Sequence, residues 1–103
     1  MTDLEKKFHQ AMLDVYESAK RECQYNATFF LRMVVDNGGL QAAHRLLATG
    51  QPSDGFTALW MCGCLNLSVE ALVLKPEFAS LFSGAERRIA SSRLAEYHYK
   101  PGA

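Results

Sequence analysis

A chain of 103 residues with 49% hydrophobic and 21% charged side chains has the composition of one ordinary globular domain, which excludes wholesale disorder. Its 11 basic residues balance its 11 acidic ones, so it lacks the Lys and Arg excess from which a dedicated nucleic-acid binder draws most of its affinity. No apolar run approaches the roughly 18–20 residues needed to cross a bilayer, since the longest, Phe56 to Leu67, is interrupted by Gly63 and Asn66.

The first predicted element is a helix opening at Thr2-Asp3-Leu4-Glu5, the spacing of a capping box. Leu4, Phe8, Ala11, Met12, Val15, Ala19 and Cys23 recur on one face at helical steps. His9 and Tyr16 sit at the edge of that stripe, and Asp3/Lys7 and Glu17/Arg21 have the i,i+4 spacing of helical ion pairs. The helix should end near Gln24. Asn26 is the expected N-cap of a second helix, Ala27 to Val35, which Asp36-Asn37-Gly38-Gly39 stops. A third helix runs from Leu40 to Ala48.

The polar break Gln51-Pro52-Ser53-Asp54-Gly55 supplies Ser53 or Asp54 to cap a fourth helix, Phe56 to Cys62. Gly63 and Asn66 end it. Ser68 and Glu70 open a fifth, Val69 to Leu74, which Pro76 prevents from continuing. Glu77 to Phe82 adds a turn or two, and Ser83 with Glu86 repeats the capping-box spacing before a last helix, Ala85 to Tyr97. Residues 100–103 read as a flexible C-terminal tail whose start Tyr97 and Tyr99 could pin.

No stretch alternates like a strand. The expectation is therefore an all-α, compact single-domain bundle of about six short helices over residues 1–99. The predicted core is Phe8, Met12, Val15, Phe30, Met33, Leu46, Leu59, Trp60, Leu72, Phe82, Ile89 and Leu94.

Three cysteines, Cys23, Cys62 and Cys64, are an odd number, and Met1 to Glu5 has neither the basic nor the apolar region of a secretory leader. The chain reads as cytoplasmic with free thiols. Cys62-Gly63-Cys64 with Cys23 could supply three metal ligands. Zinc, however, prefers four ligands and a C-x₂₋₄-C spacing, and His9, His44 and His98 are scattered. The cysteines are accordingly expected as small buried apolar side chains, and no metal ligand, cofactor or catalytic residue is assigned. No serine occupies a G-x-S-x-G elbow, and every carboxylate has a cap or helix-face explanation, so enzymatic activity is not the favoured expectation.

Gly38-Gly39 before Leu40 to Ala48 invites a helix-turn-helix reading that offers Gln41, His44 and Arg45 to base edges. That helix carries one full positive charge and is mostly small and apolar, so core packing is the expectation. In the last helix, Arg93 and Glu86 fall inside the apolar cluster of Ile89, Ala90, Leu94 and Tyr97. Arg93 is thereby expected in a partly buried ion pair or a carbonyl clamp. The opposite arc presents Arg87, Arg88, Ser91 and Ser92, small and basic, suited to a carboxylate- or phosphate-bearing partner. Residues 83–103 hold four basic and two acidic side chains, the one locally basic segment. Phe56, Trp60 and Met61 follow the polar break and are expected in the core rather than at an interface.

One further pattern runs through nearly the whole chain. It comprises Phe8, Met12, Tyr16 and Ala19, Tyr25-Asn26-Ala27-Thr28, Phe30, Gly38-Gly39, Ala43, Ser53-Asp54-Gly55-Phe56-Thr57, Leu59-Trp60 and Leu65. It continues through Leu67-Ser68-Val69-Glu70, Pro76-Glu77-Phe78, Leu81-Phe82, Glu86, Arg93-Leu94 and Tyr97. In these residues the chain resembles a group of small helical bacterial proteins with no assigned activity. It departs from them at Cys62-Gly63-Cys64, where they carry polar or basic residues. The resemblance implies a bacterial or phage-related cytoplasmic setting and supplies no catalytic residue.

The functional expectation is a non-catalytic interaction module, a small accessory or regulatory protein whose partner is a protein. Arg87, Arg88, Ser91, Ser92 and Arg45 are its candidate contact residues. The alternative is nucleic-acid binding through the basic C-terminal helix with Arg45. No membrane partner is expected.

Overall fold

The computed structural model describes residues 2–99, and the expected tail over 100–103 lies outside that range. Six α-helices follow one another: α1 (Asp3–Cys23), α2 (Thr28–Asn37), α3 (Gly39–Ala48), α4 (Asp54–Met61), α5 (Val69–Val73) and α6 (Gly84–Glu96). Short 3₁₀ turns at Leu65–Leu67 and Pro76–Leu81 complete the path. There is no strand among the described residues. The all-α bundle is as expected, and no helix of the described residues is long and apolar enough to cross a membrane.

The helix starts are written in side chains. The hydroxyls of Thr2, Ser53, Ser68 and Ser83 accept the amides of Glu5, Phe56, Ala71 and Glu86 at 3.1–3.2 Å, each satisfying a donor that helix geometry leaves open. Ser83 and Glu86 form the full reciprocal box. At the first helix the Glu5 carboxylate instead accepts the Thr2 hydroxyl at 3.3 Å. Asn26 is not the N-cap of α2; Ala27 holds that position without a side-chain bond. The Asn26 amide oxygen accepts the Tyr16 hydroxyl at 2.7 Å instead, because the folded α1 brings a stronger donor to it.

Helix α1 is the spine. Its Phe8 and Met12 enter one apolar cluster with Val34, Ala42, Leu47, Val73, Phe78 and Phe82, while Ala19 enters a second with Phe56, Leu59, Leu65 and Leu94. Phe8 packs edge-on to Phe78 and Phe82 at ring separations of 5.1 and 5.3 Å, the geometry aromatic quadrupoles favour. Helices α2 and α3 meet at a single residue, Gly38, and the corner is pressed onto α1. There the Gly39 amide donates to His9 Nδ1 at 2.8 Å. A Cβ at residue 39 would lie 2.7 Å from the His9 Cα, so only glycine allows that approach.

Three core placements are corrected: Trp60 is 46%, Met61 76% and Ile89 37% exposed. In the eight-residue α4, Phe56 and Leu59 take the inward positions, and Trp60 lies outside against Tyr97, 5.2 Å between ring centres. The spaced pairs Asp3/Lys7 and Glu17/Arg21 do not form; Lys7 meets Glu77 across the fold at 2.7 Å, and Arg21 meets Glu22 at 3.1 Å. Helix α3 packs into the core through Ala42, Ala43 and Leu47 as expected; its His44 ring is held by the Glu86 carboxylate, and Gln41 and Arg45 are exposed.

Candidate binding groove

The two clusters do not close completely on each other. Between them, beside α1, opens a groove of about 470 Å³ lined by Tyr16 and by residues from both, including Val15, Phe30, Met33, Phe56 and Leu59. Such a volume is within the usual range for ligand clefts, about 300–1,000 Å³. The loop after α3, Thr49 and Gln51 to Ser53, forms one rim with Asp54 and Gly55 at the start of α4, and Phe29 of α2 contributes to the other. Phe29 is 80% exposed, an unusual placement for a large aromatic side chain.

Several polar groups of the groove are engaged within the fold. The Tyr16 hydroxyl is bound to Asn26, both of them lining residues. Ser68 caps α5. Glu70, also a lining residue, is buried with its carboxylate 3.2 Å from Arg93 Nη1. Burial pushes the Glu70 carboxyl up from its usual value, and the backbone amide and Arg93 offset only part of that.

Arg93 then reaches on to the end of α3. Its Nη1 donates to the Leu46 carbonyl at 3.0 Å and its Nη2 to the Thr49 carbonyl. A cation beside the last carbonyls of a helix complements the negative end of its dipole. The ion pair and the carbonyl clamp expected for this residue are therefore both present. They fix the α3 terminus from which the groove's rim loop departs. Lining residues include no Cys, His, Lys or Arg; the charged ones are Glu70, engaged inward, and exposed Asp54. The groove offers apolar surface with a mildly acidic mouth, and no nucleophile–base pair.

The residues proposed from sequence as contact sites lie elsewhere. On α6, Arg88, Ser91 and Ser92 are exposed, as their arc predicts, whereas Arg87 is half-buried. Arg45 is exposed on α3, the residue after His44, whose ring touches α6 through Glu86. The basic character of this face is thin, because Arg93 is spent inward. Partial burial works against ionisation of Glu86, yet the Ser83 amide and the His44 ring hold its carboxyl below the usual value.

The cysteines correct the sequence reading. Cys23 and Cys62 are joined in a disulfide, and Cys64 is the free thiol. They are not buried apolar fillers: Cys62 is exposed, and Cys23 and Cys64 are half-buried. Comparison of the chain with family models, with curated proteins and with solved structures gives no match to any of them.

Proposed function

We propose that the chain is a non-catalytic interaction module, a small accessory or regulatory protein that binds another protein. It would do so by taking one or two large apolar side chains of that partner into the groove beside α1. The observation that carries this reading is the groove itself: about 470 Å³, lined mainly by apolar and aromatic side chains, with Phe29 left 80% exposed at its edge. Aromatic side chains placed this way are the usual anchors of protein interfaces. Asp54 at the mouth favours a partner segment whose apolar anchor is flanked by a basic residue. A cytoplasmic, bacterial setting and membership of the small helical group it resembles belong to the same proposal.

The groove is favoured over the α6 face because it offers desolvated area, which a few exposed serines and arginines do not. Peptides selected from a random library on the immobilised protein test the choice. The expected consensus carries an aromatic or branched aliphatic anchor near a Lys or Arg, and binding is lost in Phe29→Asp. Retention of DNA or RNA that weakens steeply between about 50 and 200 mM salt would instead favour nucleic-acid binding through Arg87, Arg88 and Arg45. Turnover that depended on a named side chain would overturn the proposal.

A further inference from the structure

The Cys23–Cys62 disulfide has a third sulfur beside it. The Sγ atoms of Cys23, Cys62 and Cys64 all lie within 4.8 Å of one another, and the local backbone is built to hold them so. Helix α4 ends at Met61, and its last carbonyls are taken up by the chain turning back: the Gly63 amide donates to Trp60 at 3.0 Å and the Cys64 amide to Leu59 at 2.8 Å. This turn needs the left-handed conformation that Gly63 adopts, φ 75°. It places the Cys64 thiol 3.6 Å from the Cys62 carbonyl, beside the disulfide and at the edge of the second apolar cluster. Cys23 arrives from the last residue of α1, where Gln24 reverses the chain at φ 50°.

A crosslink between α1 and α4 requires two cysteines. A third thiol in the same cluster makes the crosslink exchangeable, because disulfides break by attack of a neighbouring thiolate on one sulfur. We propose that the three cysteines form a thiol–disulfide exchange site, independent of the groove. The Cys64 thiol gives its proton to water, and its thiolate attacks Cys23 Sγ. A Cys23–Cys64 bond forms, the Cys23–Cys62 bond breaks, and the electron pair leaves on Cys62. The departing sulfur is on the exposed residue of the three, where water solvates the thiolate. No electrons are gained or lost within the protein.

The freed Cys62 thiolate is then the outward-facing nucleophile. Its substrate class is an accessible disulfide, on a small molecule or on another protein. Attack on it forms a mixed disulfide at Cys62 and releases the other half as a thiolate. In a reducing compartment, disulfides of mesophilic proteins are chiefly of this transient, exchanging or sensing kind.

The test uses the whole chain purified without reductant. The folded protein is held at mildly alkaline pH, quenched in acid, labelled there with N-ethylmaleimide, and mapped by peptide mass spectrometry. Exchange predicts label divided between Cys64 and Cys62 in a ratio that becomes constant with time. A parallel sample incubated with oxidised glutathione should carry the glutathione adduct on Cys62. Label and adduct confined to Cys64 would overturn the proposal, as would label on Cys23. Three free thiols in air-purified protein would overturn it as well.

Discussion

The guanidinium of Arg93 meets the carboxylate of Glu70 at 3.2 Å inside the fold, and the same guanidinium grips the end of α3 through the carbonyls of Leu46 and Thr49. One side chain thus joins α6, α5 and α3 and sets the loop that rims the groove. Desolvation of the carboxylate works against the pair. Its structural consequence is registry: α3 ends where Arg93 holds it.

Removing one partner should therefore be far worse than removing both. Arg93→Met strands a buried carboxylate and is expected to cost about 3–5 kcal/mol, read from urea denaturation. Glu70→Leu combined with Arg93→Met should recover most of that loss. A double variant as unstable as the single one would mean that the carbonyl clamp, not the ion pair, carries the energy.

The acid limb of stability should report on Glu86. Its carboxyl lies below the usual value of 4.5 in the folded protein. The sign follows directly. A depressed carboxyl contributes stability that is present above its unfolded value and disappears as pH falls through the folded one. Glu86→Gln should lower the urea midpoint at about pH 5, and the deficit should shrink toward zero in more acid solution. Glu70, raised by burial, has the opposite sign: its contribution falls as pH rises through the window above its usual value. A Glu86→Gln deficit that persisted unchanged in acid would contradict the assignment.

Gly39 and Gly50 should respond differently to the same change. Gly39→Ala drives a methyl onto the His9 backbone and displaces the amide bound to the His9 ring, with an expected loss of about 1–3 kcal/mol. At Gly50 a methyl meets nothing within 4 Å. There the substitution should be neutral or stabilising by up to about 1 kcal/mol. Thermal melts of the two variants decide the point.

Much of this fold was legible because its helix starts are spelled out in serine and threonine. Thr2, Ser68 and Ser83 cap where their spacing placed them, Ser53 rather than Asp54 caps α4, and the inward role of Arg93 followed from its position among Ile89, Ala90 and Leu94. Burial was less legible where helices are short. Five to eight residues make too few turns to fix a face, so Trp60 was misplaced. Phe78, fully inside, sits in a 3₁₀ turn with no helical period to betray it. The disulfide was hidden for a different reason: its two cysteines are 39 residues apart, and only the reversals at Gln24 and Gly63 bring them together. The groove has no local signal at all, since α1, α2, α4 and the loop after α3 each contribute part of its wall.

Phe29 gives the most economical separation of binding from folding. Because the ring is largely in solvent, Phe29→Ser should change stability by less than about 0.5 kcal/mol. If the ring anchors a partner, its loss should weaken binding by more than about 1 kcal/mol, roughly fivefold or greater.

The most direct measurement is a map of NMR shift changes on titrating the isotopically labelled protein with a peptide selected on it. The account predicts that the largest changes fall on Tyr16, Phe29, Phe30, Met33 and Leu59, around the groove. Changes gathered instead on Arg45, Arg87, Arg88, Ser91 and Ser92, with the groove silent, would contradict it.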